Sequence, residues 1–191
     1  MADYFEQTVV QQTIPDADMT PLERLLLSKI FQFERIGDGR FFFAEENPAM
    51  VINVDRKQLE QAIQASPDPA NAAHSAVREE LAGAIDGGKD IDLDFTNTSY
   101  LDLSGSSWEF FLQDIVRRSK TLTYISVVTS FTCSKMRPDS FGGMAVLITR
   151  DAIVGKSTGD ILEDFLAEAG LDDERPGTET VDPVDAAARS E

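Results

Sequence analysis

Apolar positions along this chain change their period several times, and each change marks an element. From Leu22 onward, Leu25, Leu26, Ile30 and Phe33 recur at helical spacing, with Leu27 and Phe31 widening the stripe. Thr20-Pro21-Leu22-Glu23 supplies the start: Thr20 caps, Pro21 suits the first turn, and Glu23 returns a hydrogen bond to the cap. Gly37-Asp38-Gly39 stops this helix. The three phenylalanines of Arg40–Glu45 predict a strand, and Met50–Val54 predicts a second. Asp55 is placed to cap a second helix, with Gln58 three residues on. Helices are predicted at about 56–65 and 69–86, separated by Ser66-Pro67-Asp68-Pro69 and closed by Gly87-Gly88.

Asp90-Ile91-Asp92-Leu93-Asp94-Phe95 alternates strictly, so it predicts a strand with three carboxylates on one side. Ser106 and Glu109 have capping-box spacing, and Trp108, Phe111, Leu112, Ile115 and Val116 form one helical face. Leu122–Cys133 is β-branched and aromatic. It places Ile125, Val127, Phe131 and Cys133 on one face and Leu122, Tyr124 and Val128 on the other. Apolar side chains on both faces imply a covered, central strand. Strand, helix, strand at this spacing predicts a parallel βαβ unit with a right-handed crossover. Met144–Thr149 is expected as an antiparallel neighbour, and a last helix at about 159–169 ends at Gly170.

The expected fold class is therefore α/β (mixed α+β). It is a single three-layer domain over 1–170, with a mixed sheet containing a parallel βαβ unit and an antiparallel strand pair, covered by helices. Residues 171–191 read as a disordered acidic tail, since they carry two prolines and little apolar content.

Composition narrows the class without naming a reaction. Hydrophobic residues make up 42% and charged residues 27%, as in ordinary globular proteins. No apolar run approaches the ~20 residues that span a bilayer, so no membrane partner is expected. Met1–Val10 lacks the pattern of a signal peptide. The single Cys133 cannot form an intramolecular disulfide, which suits a reducing, cytoplasmic location. A net charge of −17 disfavours direct nucleic-acid binding. Within that acidity lies a basic island: Arg117, Arg118, Lys120, Lys135, Arg137, Arg150 and Lys156 give residues 108–157 a net charge of +3.

The segment from Ser134 to Gly143 joins two predicted strands and is long for a hairpin. Lys135 and Arg137 suit an anionic group, Phe141 an apolar one, and Gly142 and Gly143 permit close backbone approach. A solvated surface loop is the competing reading. Gly155-Lys156-Ser157-Thr158 has the end of a phosphate-binding loop, but Arg150 stands where that motif requires glycine. Ser157 or Thr158 is expected to cap the following helix, and a simple anion contact there, by Lys156 and Ser157, is the alternative. Arg117-Arg118-Ser119-Lys120 suits either a partner or the C-terminal dipole of the preceding helix. Asp90, Asp92 and Asp94 lie ~6.6 Å apart along a strand, too far for one compact metal site. One His74 and one Cys133 make no zinc site, and no metal or cofactor is expected.

Asp92-Leu93-Asp94-Phe95, then Tyr100-Leu101-Asp102-Leu103-Ser104-Gly105, a helix and a strand, resembles the core of STAS domains, the anti-sigma-factor antagonists. That resemblance implies a phosphorylated serine that switches partner binding, by position Ser104; a plain turn before the helix is the alternative. Thr20–Glu46 and Trp108–Ser157 are also similar to uncharacterised proteins of bacterial plasmids and integrative conjugative elements. This implies an accessory role in a mobile genetic element and lends no chemistry.

No nucleophile, base and oxyanion donors can be assembled, so the expectation is a non-enzymatic interaction or regulatory protein. Its basic loop (Lys135, Arg137, Phe141) would dock a protein with an acidic surface. The alternatives are an acidic DNA mimic that inhibits a restriction or CRISPR nuclease, a STAS-like phospho-switch, and a small-molecule enzyme built on Gly142-Gly143.

Overall fold

The computed structural model describes residues 4–86, 98–136 and 140–171. Two units separate, residues 1–157 and 158–191. In the first, strand β1 (Tyr4–Val10) leads through a short β2 (Ile14–Pro15) to helix α1 (Pro21–Ile30). The capping box forms as its residues dictate: the Glu23 amide donates to Thr20 Oγ1 at 3.2 Å, and the Thr20 amide donates to Glu23 Oε2 at 2.8 Å.

Helix α1 ends before the apolar stripe does. Gln32–Ile36 is strand β3, turned at Gly37 (φ 61°) into β4 (Gly39–Ala44). Phe33 lies opposite Phe42 with ring centroids 6.1 Å apart, and the Arg40 guanidinium sits 4.5 Å from the Phe33 ring. Cross-strand pairing thus outweighs the helical period there. At Gly39 an added Cβ would lie 2.7 Å from the Ile14 carbonyl oxygen, which belongs to the neighbouring strand. Gly39→Ala is expected to cost about 1–3 kcal/mol through the forced backbone shift. Chemical denaturation checks this, and an unchanged midpoint would contradict it.

The large sheet runs β2-β4-β1-β7-β8-β9, with β3 on the outer side of β4. Its later strands are β7 (Tyr124–Cys133), β8 (Phe141–Thr149) and β9 (Ile153–Ser157). Strand β5 (Val51–Asp55) and strand β6 (Thr98–Asp102) form a separate two-stranded sheet, pairing Ile52 with Leu101. Every strand pair among the described residues is antiparallel.

The expected parallel βαβ unit is therefore absent among the described residues. Helix α4 (Trp108–Arg118) does follow a strand and precede one, but it crosses from the small sheet to the large one. The strand expected over Asp90–Phe95 lies outside the described residues. Spacing alone could not separate a crossover within one sheet from a passage between two, because both need one helix of similar length. The cap of α4 is Ser107 rather than Ser106, and the Ser107 hydroxyl donates to Glu109.

Helices α2 (Arg56–Ala65) and α3 (Ala72–Asp86) complete this unit. Asp55 caps α2 through the Gln58 amide at 2.9 Å. The core lies between one face of the large sheet and the helices: Val10, Phe42, Ile125, Val127, Val146 and Ile148 meet Leu26, Leu27, Phe111, Leu112, Ile115 and Val116. Phe31 bridges the layers, its ring 6.3 Å from Phe42 and 5.3 Å from Trp108.

A buried carboxylate ties three segments of the helical layer together. Glu23 is fully buried, and it accepts from Asn71 Nδ2 at 3.2 Å and from the Arg118 guanidinium at the end of α4. Burial pushes its carboxyl above the usual range, against the opposing pull of the Thr20 amide and Arg118.

In the second unit, helix α5 (Thr158–Ala169) stops at Gly170, whose φ of 70° suits glycine. Ile161, Leu162 and Phe165 are exposed along it. The expected tail lies outside the described residues from position 172 on.

Candidate interaction surface

Directly paired residues of antiparallel strands share a face, so the register of the large sheet maps its side away from the core. One row there runs Lys156, Ala145, Val128, Val9, Phe43 and Gln32 across β9, β8, β7, β1, β4 and β3. A neighbouring row holds Val154, Leu147 and Ser126, with Phe41 and Glu34 at the other edge. Phe141, Thr132 and Phe5 align further along. The Phe41 and Phe43 rings stack with centroids 5.8 Å apart.

An antiparallel sheet with one solvated face normally turns polar side chains outward. Here Phe5, Tyr124, Val128, Phe141, Leu147 and Val154 are 40–56% exposed. Their neighbours on the face are mostly small or hydroxylated: Ala145, Ser126, Ser130 and Thr132. The expectation of a sheet covered by helices on both sides is thereby corrected. The apolar residues on both faces of β7 were legible in sequence, but among the described residues of this unit no helix lies on the second face. Exposed apolar side chains gathered on one sheet face are a recurring feature of interaction surfaces.

The basic island does not form one patch. Arg117 donates to the Arg150 carbonyl at 2.9 Å and pairs with Asp114 at 3.1 Å. Arg118 pairs with Glu23, and Arg150 donates to the Ser119 carbonyl at 2.8 Å. These arginines satisfy the end of α4 and the approach to β7, beside the row that pairs Tyr124 with Thr149. Lys135 lies past the opposite end of β7, beyond the row pairing Thr132 with Phe141. Eight residues of strand separate those rows, roughly 27 Å.

The loop between β7 and β8 is shorter than expected, spanning 134–140, because Phe141, Gly142 and Gly143 belong to β8. Buried Ser140 donates to the Lys135 carbonyl at 2.5 Å and closes the loop on itself. Lys135 is exposed; Arg137 lies outside the described residues. Gly142 pairs with Phe131 and Gly143 with Ser130, and a Cβ on Gly143 would come within 3.0 Å of the Thr129 carbonyl oxygen. That close approach is to the adjoining strand. Gly155, Lys156 and Ser157 are likewise extended, paired with Val146, Ala145 and Met144, so they do not wrap a phosphate.

Ser104 is exposed on the turn between β6 and α4, and its hydroxyl donates to Asp102 at 2.5 Å. Glu79 and Glu80 line the same hollow. A phosphate there would join three carboxylates, which argues for a structural turn. A second, apolar hollow is lined by Ile63, Val77 and Leu81, but its polar side chains meet internal partners. His74 contacts Asn71 at 3.0 Å, Ser66 donates to the Ala62 carbonyl at 2.7 Å, and Arg78 donates to the Pro69 carbonyl at 2.8 Å.

Cys133 is buried at the end of β7. Among the described residues no cluster of three His, Cys, Asp or Glu side chains is placed to hold a metal ion, and no helix is long and apolar enough to cross a membrane. The aspartates of 90–94 lie outside the described residues. Comparison with protein-family models, curated proteins and solved structures returns no match.

Proposed function

We propose that this protein is a non-enzymatic interaction module whose docking surface is the open face of the large sheet. The observation that carries the reading is the exposed apolar set around Val128, Leu147 and Val154 on a face whose strands are otherwise well ordered by pairing. Exposed apolar area of this kind is stabilised by burial at ~25 cal/mol per Å². Of the residues expected from sequence to meet a partner, Phe141 and Lys156 belong to this face, and Lys135 stands at its end. Ser104, Arg117, Arg118 and Arg150 stand elsewhere and have internal partners. A partner surface with carboxylates at its margin matches Lys156.

Placing a photo-crosslinking residue at Val128, with Lys57 on α2 as the control position, tests this reading in the native host. Protein adducts are expected from position 128 and not from 57, and Leu147→Glu is expected to remove them. Equal labelling at both positions, or adducts insensitive to Leu147→Glu, would overturn it.

A further inference from the structure

We infer that the occupant of the open face is a second copy of this chain, packed sheet on sheet about a two-fold axis that runs along the strands. This deepens the interaction reading and rests on it. Area supports it first. From β9 to β4 the face is five strand positions wide, about 20–24 Å, and about 27 Å long, near 600 Å² per copy. Two copies would bury roughly 1,200 Å², which reaches the lower bound for specific interfaces.

Charge selects the arrangement. Of the paired strand positions on this face, Lys156 on β9 and Glu34 on β3 are the charged ones, and they stand at opposite edges. A two-fold axis parallel to the strands lays β9 of one copy over the β3–β4 edge of the other. Lys156 then faces the partner's Glu34, one row away along the strands, about 7 Å. Sheets packed face to face lie about 10 Å apart, within reach of a lysine side chain. An axis across the strands would instead bring Lys156 to within about a row of the partner's Lys156, and Glu34 to within about a row of the partner's Glu34. Like charges in that position oppose association, so the first arrangement is preferred. A self-complementary face also explains how a chain of net charge −17 can associate with itself: the described residues of the facing rows are nearly neutral, and the repulsion comes from the rest of the chain. That outer repulsion is screened by salt, so the dimer is expected to tighten as ionic strength rises.

Sedimentation equilibrium on the full chain, up to about 100 µM, decides the matter, since the proposed dimer is one that forms within that range. The wild type is expected to be a dimer. Leu147→Glu and, separately, the edge variant Val154→Glu are expected to be monomers with unchanged circular dichroism. Lys156→Glu and Glu34→Lys should each weaken association on the order of tenfold, and the double exchange should recover it. A monomeric wild type, a dimer that survives Leu147→Glu, or a double exchange without recovery would overturn the inference. If the wild type is monomeric while the adducts at Val128 persist with a different protein and vanish in Leu147→Glu, the second copy falls and the interaction reading stands. If those adducts are also absent, both fall.

Discussion

Glu23→Ala is expected to lower the unfolding free energy by about 3–5 kcal/mol, a large share of the stability of an ordinary domain. The carboxylate is fully buried and receives three donors: the Thr20 amide, Asn71 Nδ2 and the Arg118 guanidinium. Alanine would leave the first two buried without an acceptor and remove one half of the capping box of α1, although the residue-23 amide still donates to Thr20 Oγ1. Glu23→Gln keeps an acceptor for Thr20 and should cost less, which separates the charge from the hydrogen bonds. Chemical denaturation of the two variants against the wild type measures both. Equal losses would show that charge pairing with Arg118 dominates.

The same residue predicts a pH dependence. Burial raises the folded-state pKa of Glu23 above its usual 4.5, so the folded protein holds this proton more tightly than the unfolded chain does. Its contribution is most favourable below the ordinary value and is lost as pH rises through the raised one. The stability of the wild type relative to Glu23→Gln should therefore fall as pH rises above about 4.5. A difference that stays constant or grows over that range would contradict the assignment.

Phe42→Ala should cost a comparable amount, about 3–5 kcal/mol, for a different reason. Phe42 is fully buried on the core-facing side of the sheet, in ring contact with Phe31 and Phe33. Removing it opens a cavity that strand pairing prevents from collapsing, and it loses the edge contacts between rings. Thermal unfolding of Phe42→Ala against Phe42→Leu separates cavity from aromatic terms, with leucine expected to recover part of the loss. A midpoint close to wild type for the alanine variant would mean that the core relaxes freely around the site.

Much of the local structure was readable from residues near one another in the chain. Thr20 and Glu23 announce their capping box, Asp55 its cap, and Trp108 to Val116 their buried stripe. Each signal is a contact within one or a few helical turns. The misreadings share another cause. Phe33 extended a helical period, yet it pairs with Phe42 across a hairpin. Residues Tyr4–Val10 showed no signal strong enough to be taken as a strand, although β1 sits centrally between β4 and β7. Gly142 and Gly143 looked like ligand-approach glycines, and they face the neighbouring strand instead. Arg117, Arg118 and Lys135 are close in sequence, and the long strand β7 carries Lys135 to the end opposite the two arginines.

By itself, the order of residues determined where helices α1 and α2 begin, that β7 is apolar on both sides, and that charge is unevenly spread. Those properties depend on spacings of one to eight residues. Only the tertiary structure decided which strands pair, in what direction, and which side of the sheet the helices take. Strand pairing joins residues more than a hundred positions apart, as Thr8 with Thr129, and no local spacing encodes such a choice. The open apolar face is a result of that choice.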